Sequence, residues 1–295
     1  MCCRLTRKSE GLGGPTVTYR FTKMQGCGND YLYFDCFAQP VTDPAGLARR
    51  FSDRHFGVGS DGVILILPSE VADARMRIFN ADGSEGKMCG NGVRCVGKYL
   101  YDSGRCKKTA LRVETGSGIK TLQLEVAGGV ARRAAVGMGP PDLRPAAVPV
   151  LLQGERVVNA PVKIGGQRWQ ITCVSMGNPH CVVFVDCVDE LDLTVLGPLF
   201  AGSGLFPEGI NAEFVQPLGE RAIKMRVYER GSGETLACGT GACAAAVAAI
   251  AAGRCRREEE IAVSLPGGQL QVRWGERECY LSGPAETVFC GQLEW

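Results

Sequence analysis

Hydrophobic and polar residues alternate in short stretches along the first half of the chain, and each stretch predicts a β-strand. The clearest is Val17–Met24, where Val17, Tyr19 and Phe21 alternate with threonine and arginine. Further strand-like runs cover residues 31–37, 63–67, 76–79, 111–114 and 120–126. Between these runs, residues 43–53 and 92–103 carry apolar positions at helical spacing, so the first half predicts strands around a few helices.

The second half repeats this order of elements. Strand-like runs cover residues 169–174, 181–185, 223–228, 261–265, 269–274 and 278–282, and helical patterns cover residues 191–200 and 242–252. A segment rich in proline and glycine, residues 137–166, joins the halves and contains two more strand-like runs, 148–152 and 161–164. Because strands do not alternate strictly with helices, the pattern favours an α+β fold over a Rossmann-type fold.

The two halves also share motifs at one fixed spacing. Cys89-Gly90-Asn91-Gly92 and Cys238-Gly239-Thr240-Gly241 are 149 residues apart (238 minus 89), and Gly28-Asn29 and Gly177-Asn178 have the same spacing. Several matches in one register indicate an internal duplication. We therefore expect two pseudo-symmetric domains, residues 17–137 and 138–286, each a strand-rich sheet or barrel around a central helix. Residues 1–16 are predicted to be a loose extension.

Composition excludes several classes of function. A net charge of +2 does not indicate a nucleic-acid or membrane partner, and no apolar run is long enough to span a bilayer. Residues 1–16 lack the apolar core of a secretory signal, which predicts a cytoplasmic protein; their single acidic residue leaves a plastid transit-peptide remnant as the alternative. Fifteen cysteines without a Cys-x-x-Cys spacing, and only two histidines, do not predict a metal site.

The chemistry that the repeat suggests depends on Cys89 and Cys238. Each cysteine immediately precedes a predicted helix, where unpaired N–H groups and the helix dipole should stabilise a thiolate and lower its pKa. The following backbone N–H groups, at Gly90-Asn91 and Gly239-Thr240, can bind a carboxylate. Two such helix starts facing one substrate could remove a proton from one face of a carbon and return one to the other. That reaction requires no cofactor.

The loops around these cysteines resemble the signature blocks of the diaminopimelate epimerase family. The resemblance runs from about Tyr19 to the C-terminus. Its motifs are Gly26–Tyr31, Asn80–Glu85, Cys89–Cys95, Gly177–His180, Gly209–Asn211 and Glu229–Gly241. It implies a cofactor-independent interconversion of LL- and meso-diaminopimelate, which serves lysine biosynthesis and, in bacteria, the supply of a peptidoglycan precursor. It also implies an active site in the cleft between two domains, with residues 287–295 returning to the first domain.

The resemblance assigns roles to individual residues. Cys89 and Cys238 match the two acid/base residues, and His180 and Glu229 match residues beside the reacting amine. Further matched positions bind the substrate through side chains or backbone: Asn29, Asn80, Gly90, Asn91, Asn178, Asn211, Glu229, Arg230, Gly239 and Thr240. A substrate with two amino-acid ends needs many hydrogen-bonding partners, and the Arg230 guanidinium can bind its distal carboxylate at two points.

Two other functions compete with this interpretation. A proline or hydroxyproline racemase would also use paired cysteines, but it lacks the Glu229-Arg230 pair and the asparagine set. A non-catalytic thiol redox protein would instead show close cysteine spacings. One departure concerns Gly62, which stands where some family members carry a side chain that reaches the substrate. Cys27 and Cys181 flank the predicted site loops and could take part in thiol oxidation. The sequence allows a homodimer without fixing the oligomeric state.

Overall fold

The computed structural model describes residues 3–5 and 17–295, so the predicted extension at residues 1–16 lies mostly outside the described residues. The chain divides into two compact units. Unit 1 comprises the residues up to Val136 together with Pro284–Trp295, and unit 2 comprises Gly137–Gly283. Each unit consists of many strands and two α-helices in its described part, which confirms the predicted α+β class.

Unit 1 is a mixed sheet in which sequence neighbours mostly pair antiparallel. The pairs β3 with β4 and β5 with β7 are parallel. The last strand, β19, pairs antiparallel with β2 and parallel with β1, so the C-terminus belongs to this unit. The strands are β1 (Cys3–Leu5), β2 (Thr18–Gly26), β3 (Asn29–Asp35), β4 (Gly62–Leu67), β5 (Ala74–Asn80), β6 (Glu85–Gly86), β7 (Ala110–Thr115), β8 (Gly118–Ala127), β9 (Val130–Gly139) and β19 (Glu286–Glu294).

Unit 2 has the same order of strands. Its parallel pairs, β12 with β13 and β14 with β16, stand where unit 1 has β3 with β4 and β5 with β7. The strands are β10 (Ala160–Ile164), β11 (Gln167–Ser175), β12 (Pro179–Phe184), β13 (Asn211–Gly219), β14 (Ala222–Glu229), β15 (Gly233–Thr235), β16 (Glu260–Leu265), β17 (Gly268–Trp274) and β18 (Cys279–Pro284).

A long helix lies at the centre of each unit. Helix α2 (Gly90–Asp102) packs against β2, β3, β7 and β8, and helix α4 (Gly239–Ala251) packs against β11–β14, β16 and β17. Nearly every residue of α4 is alanine, glycine or another small residue, which allows strands to approach it from several sides. Helices α1 (Pro44–Phe51) and α3 (Leu193–Ala201) are capped by the Asp43 and Asp192 carboxylates.

Each unit buries an apolar core of its own. In unit 1, the aromatic rings of Tyr19, Phe21 and Phe34 pack with Leu47 and other buried residues of α1, β2–β5 and β19. In unit 2, Phe200 of α3 packs edge-on against Phe214 of β13, with ring centroids 5.2 Å apart. These separate cores support the interpretation of the chain as a duplicated unit.

A matching ion pair shows how closely the two units correspond. In unit 1 the Arg77 guanidinium on β5 donates two hydrogen bonds to the Glu85 carboxylate on β6. In unit 2 Arg226 on β14 donates two hydrogen bonds to Glu234 on β15. Both pairs have the repeat spacing of 149 residues, and each holds the short strand that precedes the cysteine of the repeat, Cys89 or Cys238.

Several local features differ from what the sequence predicted. Residues 148–152 do not form the predicted strand: a 3₁₀ turn at Pro145–Ala147 precedes them, and the Val150 N–H donates to the Pro145 carbonyl. The apolar run is explained instead by burial of Val148 and Val150 in the unit 2 core. The sequence did not predict six strands: β1, β6, β9, β13, β15 and β19. Of these, β1 lies within residues 1–16, which were predicted to be a loose extension, and it pairs with β19.

The β2–β3 hairpin of unit 1 leads to a testable pH dependence. The Asp30 carboxylate on β3 is bound by the Lys23 ammonium at 2.9 Å and the Arg54 guanidinium at 2.8 Å. Burial raises the pKa of Asp30, but the hydrogen bonds and charges of Arg54 and Lys23 outweigh it and lower the pKa below its ordinary value. The contribution of this carboxylate to stability is therefore present above the ordinary carboxyl pKa and is lost as pH falls through the folded-state pKa.

We expect Asp30→Asn to lower the free energy of unfolding at pH 7 by about 1–2 kcal/mol, a modest value because Arg54 is half exposed to solvent. The difference between variant and wild type should shrink below about pH 4, where the free carboxyl is protonated. Urea unfolding at neutral and acidic pH measures both quantities. A difference that stays constant across this range would show that Asp30 acts through shape and not through charge.

Candidate active site

Cys89 begins helix α2 of unit 1, and its sulfur caps the helix. The Gly92 N–H donates to Cys89 Sγ at 3.3 Å, and the Cys89 thiol donates to the Asn29 side-chain oxygen at 3.2 Å. The Asn91 side-chain amide approaches the same Asn29 oxygen at 3.5 Å. The predicted residues Asn29, Cys89 and Asn91 are therefore brought together around one half-buried thiol.

Asp61 fixes which end of the Asn29 amide faces the thiol. The Asn29 Nδ2 group donates to Asp61 Oδ2 at 2.6 Å, and the Arg54 guanidinium holds the other Asp61 oxygen at 2.8 Å. Because an ionised carboxylate accepts hydrogen bonds only, the NH₂ end of Asn29 must face Asp61. The Asn29 carbonyl oxygen is thereby presented to Cys89. Sequence reasoning placed Asp61 in a glycine loop and missed this contact.

Cys238 begins helix α4 of unit 2 in the equivalent way. The Gly241 N–H donates to Cys238 Sγ at 3.3 Å, and the Thr240 hydroxyl lies 3.5 Å from the sulfur. The Asn178 NH₂ group donates to the same Thr240 oxygen at 3.3 Å. Asn178 and Thr240, both predicted to bind substrate, therefore lie beside this buried thiol.

His180 lies behind Asn178 and has both ring nitrogens engaged. Its Nδ1 lies 2.6 Å from Glu213 Oε1, and its Nε2 lies 3.0 Å from the Asn178 side-chain oxygen. His180 and Glu213 are both 0% exposed. Glu213 was not among the predicted site residues. The repeat spacing could have drawn attention to it, because the equivalent residue of unit 1 is the apolar Ile64.

The remaining predicted residues lie at the ends of β13 and β14 or in adjacent turns. Asn211 is buried; its amide donates to the Pro179 carbonyl at 2.9 Å, and its oxygen accepts from the Arg230 N–H at 2.8 Å. The Arg230 guanidinium donates to the Glu208 carbonyl, and Glu229 accepts from the Thr235 hydroxyl. In unit 1, the exposed Asn80 donates to the Ser84 hydroxyl at 3.0 Å. Gly90 and Gly239 are the first residues of α2 and α4.

The pKa of each site thiol is raised, so the predicted net lowering at the helix starts is wrong for this structure. Burial raises the pKa of Cys89, and the Gly92 and Asn91 N–H groups oppose it only in part. For Cys238, burial acts first and the negative charges of Glu229 and Glu213 add to it, which raises the pKa well above the ordinary value. Desolvation of the thiolate therefore exceeds its stabilisation by the helix terminus.

A buried arginine distinguishes the setting of Cys89 from that of Cys238. Arg94, on the first turns of α2, is 0% exposed and donates to the Pro284 and Gly90 carbonyls, each at 3.3 Å. One of its guanidinium nitrogens, Nη2, has no hydrogen-bond partner among the described residues. Its positive charge opposes the burial-induced rise in the Cys89 pKa. Cys243 takes this position in the repeat, so unit 2 lacks an equivalent cation there.

Two further cysteines flank the predicted loops. Cys27 occupies the β2–β3 turn with a positive φ of 55°, and Cys181 on β12 is 0% exposed. Burial raises the pKa of both thiols, well above the ordinary value for Cys181, and an unionised thiol reacts slowly with oxidants.

The described part of the chain has neither a cluster of metal-binding side chains nor a helix that could span a membrane. No group of three or more histidine, cysteine, aspartate or glutamate residues there could hold a metal ion. Within the same residues, every helix is too short or too polar to cross a membrane.

Comparison with known proteins identifies the family. The diaminopimelate epimerase family profile matches residues 21–143 and 172–288. A diaminopimelate epimerase of Desulfovibrio desulfuricans is 51% identical over 284 residues, covering 94% of this chain and 98% of the relative. One of Acetivibrio thermocellus is 51% identical over 277 residues, covering 93% and 98%.

Solved structures show the same fold at much lower identity. A probable proline racemase from Agrobacterium radiobacter is 18% identical with a TM-score of 0.67, covering 92% of each chain. A hydroxyproline epimerase from Agrobacterium vitis is 17% identical with a TM-score of 0.68, covering 94% of this chain and 92% of the other. With half of its residues shared with curated relatives over nearly their whole length, the chain belongs to the diaminopimelate epimerase family of isomerases.

Proposed function

We propose that this protein interconverts LL- and meso-diaminopimelate without a cofactor, with Cys89 and Cys238 as its two acid/base groups. The observation that carries the proposal is the equivalent placement of the two thiols. Each caps the central helix of its unit and accepts an N–H bond at 3.3 Å from the glycine three residues later. The relatives at 51% identity bear the name of this activity, which supports the choice of substrate.

The proposed reaction needs one thiolate and one thiol acting on the same α-carbon. The thiolate removes the α-proton, and the thiol of the other cysteine delivers a proton to the opposite face, which inverts the centre. N–H groups in the first turns of α2 and α4, at Gly90-Asn91 and Gly239-Thr240, stabilise the charge that develops on the carboxylate. In each turnover one cysteine takes a proton from the α-carbon and the other gives a proton to it. The protein therefore ends with the thiol and the thiolate exchanged between the two cysteines.

The other matched residues are proposed to hold the two amino-acid ends of the substrate. Hydrogen bonds fix Asn29, Asn178, Asn211 and the Arg230 backbone within their units, so these groups are ordered before substrate binds. Asn80, Glu229 and the Arg230 guanidinium complete the set. Pre-ordered polar groups reduce the entropy lost on binding a flexible substrate.

The place of the reaction in metabolism follows from this proposal. An epimerase of diaminopimelate would supply lysine biosynthesis and, in a bacterium, a peptidoglycan precursor. We propose a cytoplasmic location, with a plastid as the alternative raised by the acid-poor N-terminal segment. A homodimer is the oligomeric state that we propose to test first by sedimentation.

A time course of proton NMR spectra in D₂O tests the proposal. Reduced wild-type protein should convert LL-diaminopimelate to the meso isomer and incorporate deuterium at the α-carbon. Parallel incubations with L-proline and trans-4-hydroxy-L-proline should show no exchange. Exchange with a proline and not with diaminopimelate would move the assignment to a proline-type racemase. A folded, reduced protein that exchanges none of the three would favour the thiol redox alternative.

A further inference from the structure

We propose that the buried pair His180–Glu213 retains one shared proton, and that this proton fixes His180 Nε2 as a hydrogen-bond donor and thereby sets the orientation of the Asn178 amide. Glu213 is then a positioning residue, acting on the substrate through His180 and Asn178. The part of this inference that concerns substrate rests on the proposed function. The part that concerns the pair itself is a property of the free protein.

The contacts form a chain from the core of unit 2 to the site. Glu213 Oε1 lies 2.6 Å from His180 Nδ1, and His180 Nε2 lies 3.0 Å from the Asn178 side-chain oxygen. The Asn178 NH₂ group then donates to the Thr240 hydroxyl at 3.3 Å. His180 and Glu213 have no exposed surface, so water cannot replace either partner.

Burial determines how many protons the pair holds. With one shared proton at the Nδ1–Oε1 contact and one on Nε2, the pair is electrically neutral. Loss of the shared proton would leave a buried negative charge, and the second oxygen of Glu213, Oε2, has no hydrogen-bond partner among the described residues. Burial raises the pKa of Glu213; the charge and the hydrogen bond of His180 oppose this rise, the charge of Glu229 adds to it, and the pKa stays above its ordinary value. An uncompensated carboxylate in such surroundings is strongly disfavoured.

The titratable groups around the pair reinforce this preference. Glu229 is on the adjacent strand β14, Cys181 follows His180 on β12, and Cys238 begins helix α4. Each of these groups is neutral or negative. The negative charge of Glu213 itself raises the pKa of the Cys181 and Cys238 thiols. A negative Glu213–His180 pair would therefore be repelled by Glu229 and by a Cys238 thiolate.

The neutral pair leaves only one role for Nε2. If the shared proton is on Nδ1, His180 is an imidazolium and both its nitrogens carry hydrogen. If the proton is on Glu213 Oε1, the carboxylic acid donates to Nδ1 and the neutral ring carries its hydrogen on Nε2. A proton on Oε2 instead would be a buried donor with no acceptor among the described residues. In both forms Nε2 donates, so Asn178 must turn its oxygen toward His180 and its NH₂ group toward Thr240.

The repeat shows that this arrangement is specific to unit 2. At the spacing of 149 residues, His180 replaces Tyr31 and Glu213 replaces Ile64. The side chains of Ile64 and Glu213 end at equivalent places, beside the first turn of the central helix of their unit. A Cβ added at Gly92 would lie 2.6 Å from Ile64 Cδ1, and a Cβ added at Gly241 would lie 2.8 Å from Glu213 Oε1.

The two equivalent asparagines consequently present opposite ends of their amides. In unit 1, Asp61 binds the Asn29 NH₂ group, so Asn29 presents its oxygen to Cys89. In unit 2, His180 binds the Asn178 oxygen, so Asn178 presents its NH₂ group.

NMR of protein with ¹⁵N-labelled histidine tests the pair in the absence of substrate. The chain has only two histidines, so a His55→Gln variant leaves the two ring-nitrogen signals of His180 alone. We expect Nε2 of His180 to carry a directly bonded hydrogen at neutral pH. A His180 ring with hydrogen on Nδ1 only, and a lone pair on Nε2, would overturn the inference.

Two substitutions at Glu213 connect this state to substrate binding. In Glu213→Gln, the glutamine NH₂ can donate to Nδ1, so Nε2 keeps its hydrogen and KM for diaminopimelate should change by no more than about threefold. In Glu213→Ile, which carries the residue that unit 1 has at this position, Nδ1 loses its partner. Nothing then fixes the hydrogen on Nε2, so the Asn178 amide can turn over, and KM should rise about tenfold or more with a smaller change in kcat.

The two variants serve as each other's control. Equal losses in both, with Nε2 protonated in both, would show that Glu213 acts only through packing and would sink the positioning role. Loss of folding in Glu213→Ile, seen by circular dichroism, leaves the ¹⁵N spectrum of wild type and Glu213→Gln as the deciding measurement. Failure of the proposed function would instead appear as no turnover of diaminopimelate by wild type, with the His180 spectrum as expected.

Discussion

Replacing either Cys89 or Cys238 with serine is expected to reduce kcat/KM for inversion of diaminopimelate by about 10²–10⁴-fold, the range for losing a general acid or base. A serine hydroxyl is a far weaker acid than a thiol, so it can neither form the base nor deliver the proton at a comparable rate. The helix should survive the change, because each cysteine is an N-cap and serine is a preferred N-cap residue. The variants therefore separate chemistry from folding.

Following inversion and deuterium incorporation separately in D₂O distinguishes the two thiols. A variant that keeps its base but lacks its acid can exchange the α-proton without inverting the centre. Arg94 opposes the rise in the Cys89 pKa, whereas Glu229 and Glu213 add to the rise for Cys238. We therefore expect more exchange in Cys238→Ser, which retains Cys89, than in Cys89→Ser, which retains Cys238. Cys290→Ser, which changes an exposed cysteine, is the control and should behave as wild type. Inversion at the wild-type rate in either site variant would contradict a two-thiol mechanism.

The sequence predicted best those features that local rules or the repeat determine. Helical spacing over residues 43–53 predicted α1, which spans Pro44–Phe51; of the two possible caps, Thr42 and Asp43, the Asp43 carboxylate accepts from the Gly46 N–H at 2.8 Å. The recurrence of Cys-Gly-x-Gly predicted two helix starts, and each cysteine sulfur caps its helix. Such features depend on a few consecutive residues, so they can be predicted without knowing the tertiary structure.

Features that depend on residues distant in sequence were missed. The partner of His180 is 33 positions away on a parallel neighbouring strand, and only the pairing of β12 with β13 brings Glu213 to it. The complete burial of Arg94 was also not predicted, because its guanidinium donates to the carbonyl of Pro284, 190 positions away along the chain. The sign of the thiol pKa shifts was also missed, because desolvation is a property of the folded surroundings and not of the helix alone.

Gly62→Ala is expected to be the most destabilising single-methyl change in unit 1, lowering the free energy of unfolding by at least about 3 kcal/mol. A Cβ at this position would lie 2.1 Å from the Phe79 carbonyl oxygen and 3.1 Å from Asn80 Cα, on the paired strand β5. Both contacts are to backbone, so β4 and β5 would have to separate. The backbone conformation, with φ of 157°, adds strain for any residue with a side chain.

The close approach of β5 to Gly62 gives a structural reason for the glycine at this position. The sequence suggested that a substrate contact is missing here, since some family members carry a longer side chain. The structure instead leaves no room for any side chain, so the glycine is required by the close approach of β5, which ends in the proposed substrate-binding residue Asn80. Gly62→Ala should therefore also raise KM by displacing Asn80, whereas a missing contact could be restored by a longer residue such as glutamine.

A series of three glycine-to-alanine variants separates the possible causes in urea unfolding experiments. Gly118→Ala has a φ of 90° and no heavy atom within 4 Å of the added Cβ, so it reports backbone strain alone, about 1–2 kcal/mol. Gly204→Ala has open space and no positive φ, and should change stability by less than about 0.5 kcal/mol. If Gly62→Ala lowers the free energy of unfolding by no more than Gly118→Ala does, β5 can move away from the added methyl group at little cost. In that case the hydrogen bond of Asn80 to the Ser84 hydroxyl, and not the pairing of β5 with β4, would determine where Asn80 lies.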